Sequence, residues 1–288
     1  MENTLSRLTK AFKENKIQPL FELQGGMMNK SYVIEFEGKK YVYYQPTVQA
    51  NEMVDRILER DNHLKVYSLG ITSKNLAFFD TGVKINEYIE GQSLNYLESY
   101  DIKKVAKILK KLHESHLSSG KDYLPFKQIE KYENQIKELK IATSNDYKTL
   151  LDLVKSEQSF LESQRKVLCH NDFQKSNIIK SNSDEYFMID FEFMMDNDPI
   201  FDIAAFGNNN VIEGYELLKE YFGNSLTKEE IKRFFLWRIV LSLQWSLVAL
   251  IKDFKGEGKT HNIDFKGVSD FFISNAKDAK EMLFNIVK

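Results

Sequence analysis

The sequence is short of cysteine, proline, glycine and net charge. Its 288 residues include one cysteine, four prolines and 13 glycines. A single cysteine, Cys169, excludes an intrachain disulfide and a zinc site built from cysteines, so a reducing, cytoplasmic compartment is expected. So few prolines and glycines exclude a collagen-like or linker-dominated chain. The 40 basic and 42 acidic residues give a formal net charge of -2, which lacks the positive surplus of nucleic-acid-binding proteins, and no such partner is expected.

Long hydrophobic runs are scarce as well. The N-terminal sequence MENTLSRLTKAFKENK lacks the apolar core of a signal peptide and predicts a short amphipathic helix instead. Residues 234–251 form the one run that approaches the length of a membrane span. Arg238 and Gln244 interrupt this run, and a charge inside a span is costly. A buried helix is therefore the better interpretation, and no membrane insertion is expected.

The pattern of predicted elements changes near residue 90. Residues 21–45 predict two strands joined by a turn at Glu37–Gly38, and a helix and two further strands follow, over 51–69, 76–79 and 83–89. After Gly91 helical patterns dominate, over 102–116, 129–139, 147–164, 211–222, 228–254 and 267–286. We expect an α+β fold with a small antiparallel-sheet N-lobe (1–90), a larger helical C-lobe (91–288) and a hinge at 86–91.

A compact segment of strand-like runs interrupts the helices and carries the strongest chemical signal. His170, Asp172 and Asn177 form the pattern H-x-D-x4-N, and Asp190 follows thirteen residues after Asn177. Phosphoryl transfer uses a carboxylate beside the attacking hydroxyl, together with oxygen ligands for Mg²⁺ at the phosphates. Short antiparallel strands around a turn at 181–184 would bring Asn177 and Asp190 together. The spacing therefore predicts Asp172 as the base and the other two as metal ligands.

A weaker signal lies in the N-lobe, where the sequence QGGMMN separates two strand-like runs. Gly25 and Gly26 allow backbone N–H groups to approach phosphate oxygens closely. These glycines and Asn29 are predicted to bind nucleotide phosphates, although a glycine pair is also common in purely structural turns. The backbone from Glu87 to Ile89 is predicted to meet adenine, with a buried strand end as the alternative.

Four segments together resemble the choline/ethanolamine kinases: LCHNDFQKSNII, MIDFEFMMDNDPIFDIAAF, QGGMMNKSY and KINEYIEG. This family lies within the aminoglycoside phosphotransferase-like group, whose fold is that of protein kinases, and the resemblance is closest to bacterial choline kinases. It implies transfer of the ATP γ-phosphate to the hydroxyl of choline or ethanolamine with Mg²⁺. It also implies that Asp202 supports the catalytic loop and that His170 orients it. Homodimers occur in the family, so a homodimer is considered by analogy only.

The resemblance implies an aromatic pocket for a quaternary ammonium, because a cation is attracted to aromatic faces. Trp245 matches an aromatic residue of that pocket, but Val248 stands where a second aromatic is usual and Asn209 where an acid is usual. The candidates to compensate are Glu192, Tyr215 and Tyr221. We expect an ATP-dependent small-molecule kinase acting on choline or a related amino alcohol. An aminoglycoside, thiamine, a methylthio-sugar or a homoserine-like alcohol remains the alternative acceptor.

A second departure lies on the strand after the glycine turn. The family usually has a lysine or arginine there that contacts nucleotide phosphates, whereas this sequence has Tyr44. A phenol brings no positive charge. Glu59 matches the acid that normally pairs with that cation. We therefore predict either weak nucleotide binding, as in a nucleotide-binding pseudokinase, or a replacement cation from Lys30, Lys84, Arg56 or Arg60.

Two histidines and the cysteine receive simpler interpretations. His113 and His116 lie three residues apart on a predicted helix. Without a third ligand at a recognisable spacing, an exposed helix face is expected rather than a metal site. Cys169 directly precedes His170 and is predicted to be a small buried hydrophobic residue.

Overall fold

The computed structural model describes residues 7, 11, 17, 19–23, 29–47, 50, 51, 54–258 and 263–287. The chain forms two compact units. The first consists of Met1–Tyr100 and Lys175–Met194, and the second of Asp101–Gln174 and Met195–Lys288.

The first unit is built around a five-stranded antiparallel sheet in the order β1-β2-β3-β5-β4. Its strands are β1 (Pro19–Leu23), β2 (Asn29–Phe36), β3 (Lys39–Pro46), β4 (Asn75–Phe78) and β5 (Lys84–Glu87). Aromatic and β-branched residues dominate β2 and β3, and such side chains pack well on a pleated sheet. Glu37 and Gly38 have φ angles of 53° and 73°, as a two-residue hairpin turn requires. The turn predicted there is confirmed.

Helix α1 (Arg56–Tyr67) lies within the helix predicted over 51–69. It begins where the Asp55 carboxylate accepts a hydrogen bond from the Leu58 N–H, which satisfies one of the free donors at the first turn. Glu59, Asn62 and His63 are buried on this helix. Buried polar side chains need hydrogen-bonding or ionic partners in the fold. The partners of Glu59 belong to the candidate site, and the burial of His63 affects stability.

A second, three-stranded sheet completes the first unit. Its strands are β6 (Gly91–Ser93), β8 (Ile178–Ser181) and β9 (Tyr186–Met188). The antiparallel pairing of β8 with β9 confirms the predicted hairpin. Because β6 pairs with β8 through Gly91 and Ser181, the first unit continues to Tyr100 and includes the hairpin, whereas the predicted lobe boundary is at residue 90. The functions predicted for the two lobes stay predictions.

The second unit is mainly helical. Its helices are α2 (Ile102–His113), α3 (Pro125–Glu138), α4 (Asn145–Ser156), α5 (Gln158–Glu162), α6 (Pro199–Phe206), α7 (Val211–Phe222), α8 (Lys228–Phe254) and α9 (Phe265–Val287). Strands β7 (Val167–Cys169) and β10 (Met195–Asn197) pair antiparallel. The single helix predicted over 147–164 is two helices, because Glu157 leaves helical geometry. Cys169 is buried as predicted.

Helix α8 is long and apolar enough to cross a membrane by composition, with a hydropathy of 1.8 over its best 18-residue window. However, 83% of that window is buried inside the fold. The guanidinium of Arg238 donates hydrogen bonds to the Ala204 carbonyl (2.6 Å) and the Ser242 hydroxyl (2.8 Å), so its burial is compensated. The helix belongs to the core, as the interrupting polar residues indicate.

Candidate active site

A bent loop follows strand β7 in the second unit. The carboxylate of Asp202, from α6, accepts hydrogen bonds from the backbone N–H groups of His170 (2.8 Å) and Asn171 (2.7 Å). Asn171 has a φ of 61°, in the left-handed region that asparagine tolerates better than most residues. Asp202 is fully buried. The chain directly before Asp172 is therefore fixed by one carboxylate.

The same carboxylate has a third partner, which the sequence prediction missed. His113 Nε2 lies 3.0 Å from Asp202 Oδ2, and His113 Nδ1 lies 3.1 Å from the Tyr221 hydroxyl. The predicted exposed position is wrong for His113, which is buried at the end of α2. His113 follows Leu109 by one helical turn, and this spacing places both on the buried face. We call His113, His170, Asn171, Asp202 and Tyr221 the Asp202 cluster.

Asp172 lies at the end of this loop and is half-buried. Both of its carboxylate oxygens lie 3.1 Å from the Gln174 side-chain amide, which donates to them. Its backbone N–H donates to His170 Nδ1 at 3.3 Å. The loop thus presents a carboxylate at the surface of a buried hydrogen-bond network.

The aromatic candidates of the second unit occupy different environments. Trp245 is half-buried on α8. Trp237 is buried and donates its indole N–H to Asp198 at 2.8 Å, so it is a packing residue of the core. Tyr215 stacks on Phe235, with ring centroids 5.7 Å apart. Tyr221 is bonded to His113, so it contributes to the loop support described above.

In the first unit, the β8–β9 hairpin brings Asn177 and Asp190 to the same end. The Ile189 N–H donates to the Asn177 carbonyl at 3.0 Å, which places the next residue, Asp190, beside that end of the hairpin. Asn177 is buried, whereas the Asp190 side chain is 35% exposed. Asp190 has a φ of 68°, an uncommon conformation that Asp adopts more readily than bulkier residues.

Asp190 belongs to a group of charged side chains that we call the Lys84 cluster: Arg56, Glu59, Lys84, Asp190 and Glu192. Lys84 Nζ lies 2.5 Å from Glu59 Oε1 and 3.5 Å from Asp190 Oδ1. Arg56 Nη1 lies 2.7 Å from Glu59 Oε2 and 3.3 Å from Glu192 Oε1. Glu59 therefore has two cationic partners, and both come from the four candidates that the sequence offered.

For the central ion pair of this cluster, Glu59 with Lys84, the attraction of opposite charges affects the pKa values more than burial does. Burial alone would raise the pKa of Glu59, but Lys84 and Arg56 hold that pKa below its usual value. Burial alone would lower the pKa of Lys84, but Glu59 and the neighbouring carboxylates raise it instead. Both groups are therefore charged at neutral pH. For Asp190 the balance is reversed: burial raises its pKa, and Lys84 only partly opposes this.

The Lys84 cluster contains three carboxylates and two cations, so one negative charge is in excess. Oxygen atoms of Glu59, Asp190 and Glu192 lie within 4.8 Å of one another. Carboxylate oxygens are the ligands that Mg²⁺ prefers. Glu59 and Glu192 are nearly inaccessible and bonded to cations, which leaves the exposed Asp190 as the carboxylate open to an arriving ion. The donor set and the surplus charge fit a divalent cation.

The residues predicted to contact nucleotide are only partly visible. Gly25 and Gly26 lie outside the described residues, and only the backbone of Asn29, the first residue of β2, is described. Glu87 ends β5, and its N–H donates to the Lys74 carbonyl at 2.9 Å. Ile89 follows in irregular chain and is half-buried. The nucleotide-binding roles of these five residues stay predictions.

Comparison with known proteins identifies the family. The family model described as choline/ethanolamine kinase matches residues 20–236. The chain belongs to the choline/ethanolamine kinase family. Family membership shows that the protein is a phosphotransferase acting on an alcohol and a small-molecule kinase. The predicted α+β, kinase-like fold is likewise confirmed.

Several known proteins match over most of the chain. Protein LicA of Haemophilus influenzae is 25% identical over 254 residues, which cover 82% of this chain and 74% of that protein. The crystal structure of choline kinase LicA from Streptococcus pneumoniae has 25% identity and a TM-score of 0.73, and the match covers 98% of this chain and 100% of that one. A structure of LicA in complex with AMP matches at 24% identity and a TM-score of 0.72, covering 98% and 99% of the two chains.

In this choline/ethanolamine kinase family member, the predicted site residues fall into two sets. Asp172, His170 and Asp202 are joined by hydrogen bonds in the second unit. Asn177 and Asp190 lie at the same end of the hairpin in the first unit. Two further residues complete these sets, His113 and Lys84. A helical-spacing argument from Leu109 could have found His113, whereas the sequence only offered Lys84 as one candidate among four.

Proposed function

We propose that this family member is an ATP- and Mg²⁺-dependent choline kinase. It transfers the γ-phosphoryl group of ATP to the hydroxyl of choline. The observation that carries this proposal is a pair of hydrogen bonds. The Asp202 carboxylate accepts them from the two backbone N–H groups that precede Asp172. The likeness to a LicA choline kinase and to a LicA structure containing AMP supports the acceptor and the nucleotide.

In the proposed reaction, Asp172 accepts the proton of the choline hydroxyl as its oxygen attacks the γ-phosphorus and the bond to ADP breaks. A general base of this kind must be held within hydrogen-bonding reach of the proton. Asp202 supplies that restraint through the backbone. His170 adds to it, because its Nδ1 accepts the Asp172 N–H. These two residues are positioning residues, and Asp172 alone contacts the reacting hydroxyl.

Asn177 and Asp190 would hold Mg²⁺, in agreement with the oxygen donors and the surplus negative charge found in the first unit. When bound, Mg²⁺ offsets the charge that spreads over the transferring phosphoryl oxygens. The remaining nucleotide contacts are assigned to Gly25, Gly26 and Asn29 at the phosphates and to Glu87 and Ile89 at adenine. Each assigned group is an oxygen ligand or a backbone position suited to that partner.

The acceptor is assigned to the half-buried face of Trp245, which suits a quaternary ammonium. Glu192 contributes negative charge. Because its side chain is 2% exposed and bonded to Arg56, this contribution is electrostatic rather than a direct contact. The cytoplasmic location and the homodimer suggested by the sequence stay predictions.

The test is a panel of alcohols with ATP and Mg²⁺: choline, ethanolamine, thiamine, an aminoglycoside, a methylthio-sugar and homoserine. ADP release and product mass are measured for each. We expect the highest kcat/KM with choline. A higher value with another alcohol would replace choline as the acceptor, and no acceptor-dependent turnover with any of them would favour a pseudokinase.

The base assignment is tested with Asp172→Ala. We expect turnover with choline to fall by about 10²–10⁴, the usual contribution of a general base, while ADP affinity is kept. Asp152→Ala, which changes an exposed aspartate on α4, is the matched control and should turn over as the wild type does. Near-wild-type turnover in Asp172→Ala would contradict the assignment.

A further inference from the structure

Lys84 lies directly opposite Tyr44, the residue at which the family's usual cation is missing. The register of the sheet pairs Tyr44 on β3 with Lys84 on β5. Residues paired in this way project from the same face of an antiparallel sheet. Lys84 Nζ lies 4.8 Å from the centre of the Tyr44 ring, within range of a cation–π contact. A positive charge therefore occupies the space beside Tyr44, but it comes from the neighbouring strand.

The described partners of the Lys84 ammonium do not use its full hydrogen-bonding capacity. An ammonium carries three N–H donors. Among the described residues, its one short hydrogen bond is to Glu59 at 2.5 Å, and its contact with Asp190 is at the 3.5 Å limit. A purely structural buried lysine would be expected to satisfy more of its donors. An acceptor from outside the protein can complete this set.

The open side of the cluster shows where such an acceptor arrives. The side chains of Lys84 and Glu59 are 3% and 1% exposed, whereas that of Asp190 is 35% exposed. A ligand that approaches Asp190 therefore comes next to the ammonium. The cluster's surplus negative charge attracts a divalent cation to the same side, and a cation there favours an anionic ligand.

Stability alone gives a poor reason for this arrangement. Buried ion pairs contribute little net stability, because the cost of removing two charges from water offsets their attraction. A charged lysine held by Glu59, with donor capacity left over among the described residues and open access through Asp190, is instead arranged to bind an anion.

We propose that Lys84 binds the nucleotide phosphates in this protein, taking over from β5 the role of the cation absent at Tyr44, with Glu59 positioning its ammonium. This inference rests on the proposed function, since it requires a nucleotide. Tyr44 covers the ammonium with a neutral ring: burial, partly opposed by Lys84, raises the pKa of its phenol to about 12.

The first test compares the binding of ADP and adenosine by calorimetry in the wild type and in Lys84→Met. Both ligands share base and ribose, so a loss confined to ADP reports the phosphate contact. We expect ADP affinity to fall about 10- to 100-fold, as for the loss of a hydrogen bond between charged groups, and adenosine affinity to stay unchanged. Lys39→Met, an exposed lysine on β3, should bind both ligands as the wild type does.

Removal of Lys84 leaves the buried Glu59 with Arg56 as its remaining cation, which threatens folding. The double variant Glu59→Gln/Lys84→Met removes both charges of the pair and should fold, as thermal unfolding will verify. It should show the same selective loss of ADP affinity. If either variant keeps the wild-type ratio of ADP to adenosine affinity, the proposal is overturned.

The second test moves the lysine from position 84 on β5 to position 44 on β3. Because positions 44 and 84 face each other across β3 and β5, a lysine at position 44 reaches the same space. Tyr44→Lys/Lys84→Met should regain about tenfold or more of the ADP affinity lost in Lys84→Met. Equal ADP affinities in these two variants would overturn the claim that Lys84 takes the role of the cation absent at position 44.

These measurements separate the two proposals. If the wild type phosphorylates choline and the Lys84 variants bind ADP normally, the inference alone fails. If the wild type phosphorylates no alcohol but its preference for ADP over adenosine depends on Lys84, the proposed function fails and the inference stands.

Discussion

The two compact units each contain a buried group of residues centred on carboxylates, but the two groups differ in how far protein partners satisfy those carboxylates. In the Asp202 cluster, one fully buried carboxylate receives two backbone N–H groups and a histidine. In the Lys84 cluster, three carboxylates surround two cations, and one of them, Asp190, is 35% exposed. The first group is closed and satisfied by the protein. Among the described residues, the second has an open side and one more carboxylate than cations.

This difference distinguishes a carboxylate that supports the backbone from one that is accessible to a ligand. A fully buried carboxylate that accepts from two backbone N–H groups and lies beside a histidine fixes the chain and is out of reach of a ligand from solvent. A cluster with an accessible carboxylate and more carboxylates than cations offers oxygen ligands to a cation instead. An aspartate therefore holds a loop in one unit, whereas in the other unit an aspartate is accessible to a ligand.

The sharpest test of this contrast removes the two aspartates in turn. Asp202→Ala leaves three buried donors without their partner, so we expect the free energy of unfolding to fall by about 3–5 kcal/mol. Asp190→Ala should cost less than about 1 kcal/mol, because burial already disfavours its charged form. Urea denaturation of both variants measures the difference. Equal costs would remove the distinction between a closed and an open cluster.

A second test concerns His63 of the first unit, which is buried and has no hydrogen bond to a carboxylate among the described residues, while the negative charge of Glu59 acts on it through space. Its Nε2 lies 3.0 Å from the Ser73 carbonyl, and burial, partly opposed by that hydrogen bond, lowers its pKa to about 4. The unfolded chain binds a proton near pH 6.5, well before the folded protein does. The stabilising contribution is therefore complete above about pH 6.5 and is lost as the pH falls to about 4, by about 3 kcal/mol in all.

This pH dependence is measured by urea denaturation between about pH 4 and 7.5 in the wild type and in His63→Asn. The gap in unfolding free energy between the two proteins should narrow as the pH falls. A gap that stays constant over the whole range would show that His63 does not titrate as its burial requires.

The smallest expected effect distinguishes the two histidines at the end of α2. His113→Phe removes the bonds to Asp202 and Tyr221 and should lower the free energy of unfolding by about 1–2 kcal/mol. His116→Asn is the matched control. Its φ of 59° is tolerated by asparagine, and its effect should stay within about 0.5 kcal/mol. A cost for His116→Asn as large as that for His113→Phe would show that burial of His113 is not what matters.

Sequence patterns predicted the elements whose signal is local. The turn at Glu37–Gly38, the β8–β9 hairpin and the spacing of Asp172, Asn177 and Asp190 each depend on neighbours in the chain, and the turn and the hairpin are confirmed. The short strands β6 and β10 were not predicted, because three residues are too few to show a period of two.

The missed site residues have distant partners. His113 meets Asp202 across 89 residues, and Lys84 meets Glu59 across 25. No local pattern records such a contact. The interpretation of His113 as exposed failed because a histidine at a helix end was weighed without its buried neighbour Leu109. Lys84 could be offered only as one of four cations until the register of β3 and β5 was known.

That register has a consequence for how such enzymes are recognised. A comparison of sequences that reads each position separately treats the tyrosine at position 44 and the lysine at position 84 as unrelated, although the two residues are cross-strand partners and their side chains share one space. Members that place their lysine on either strand can therefore carry the same charge at the same point while differing in two alignment columns.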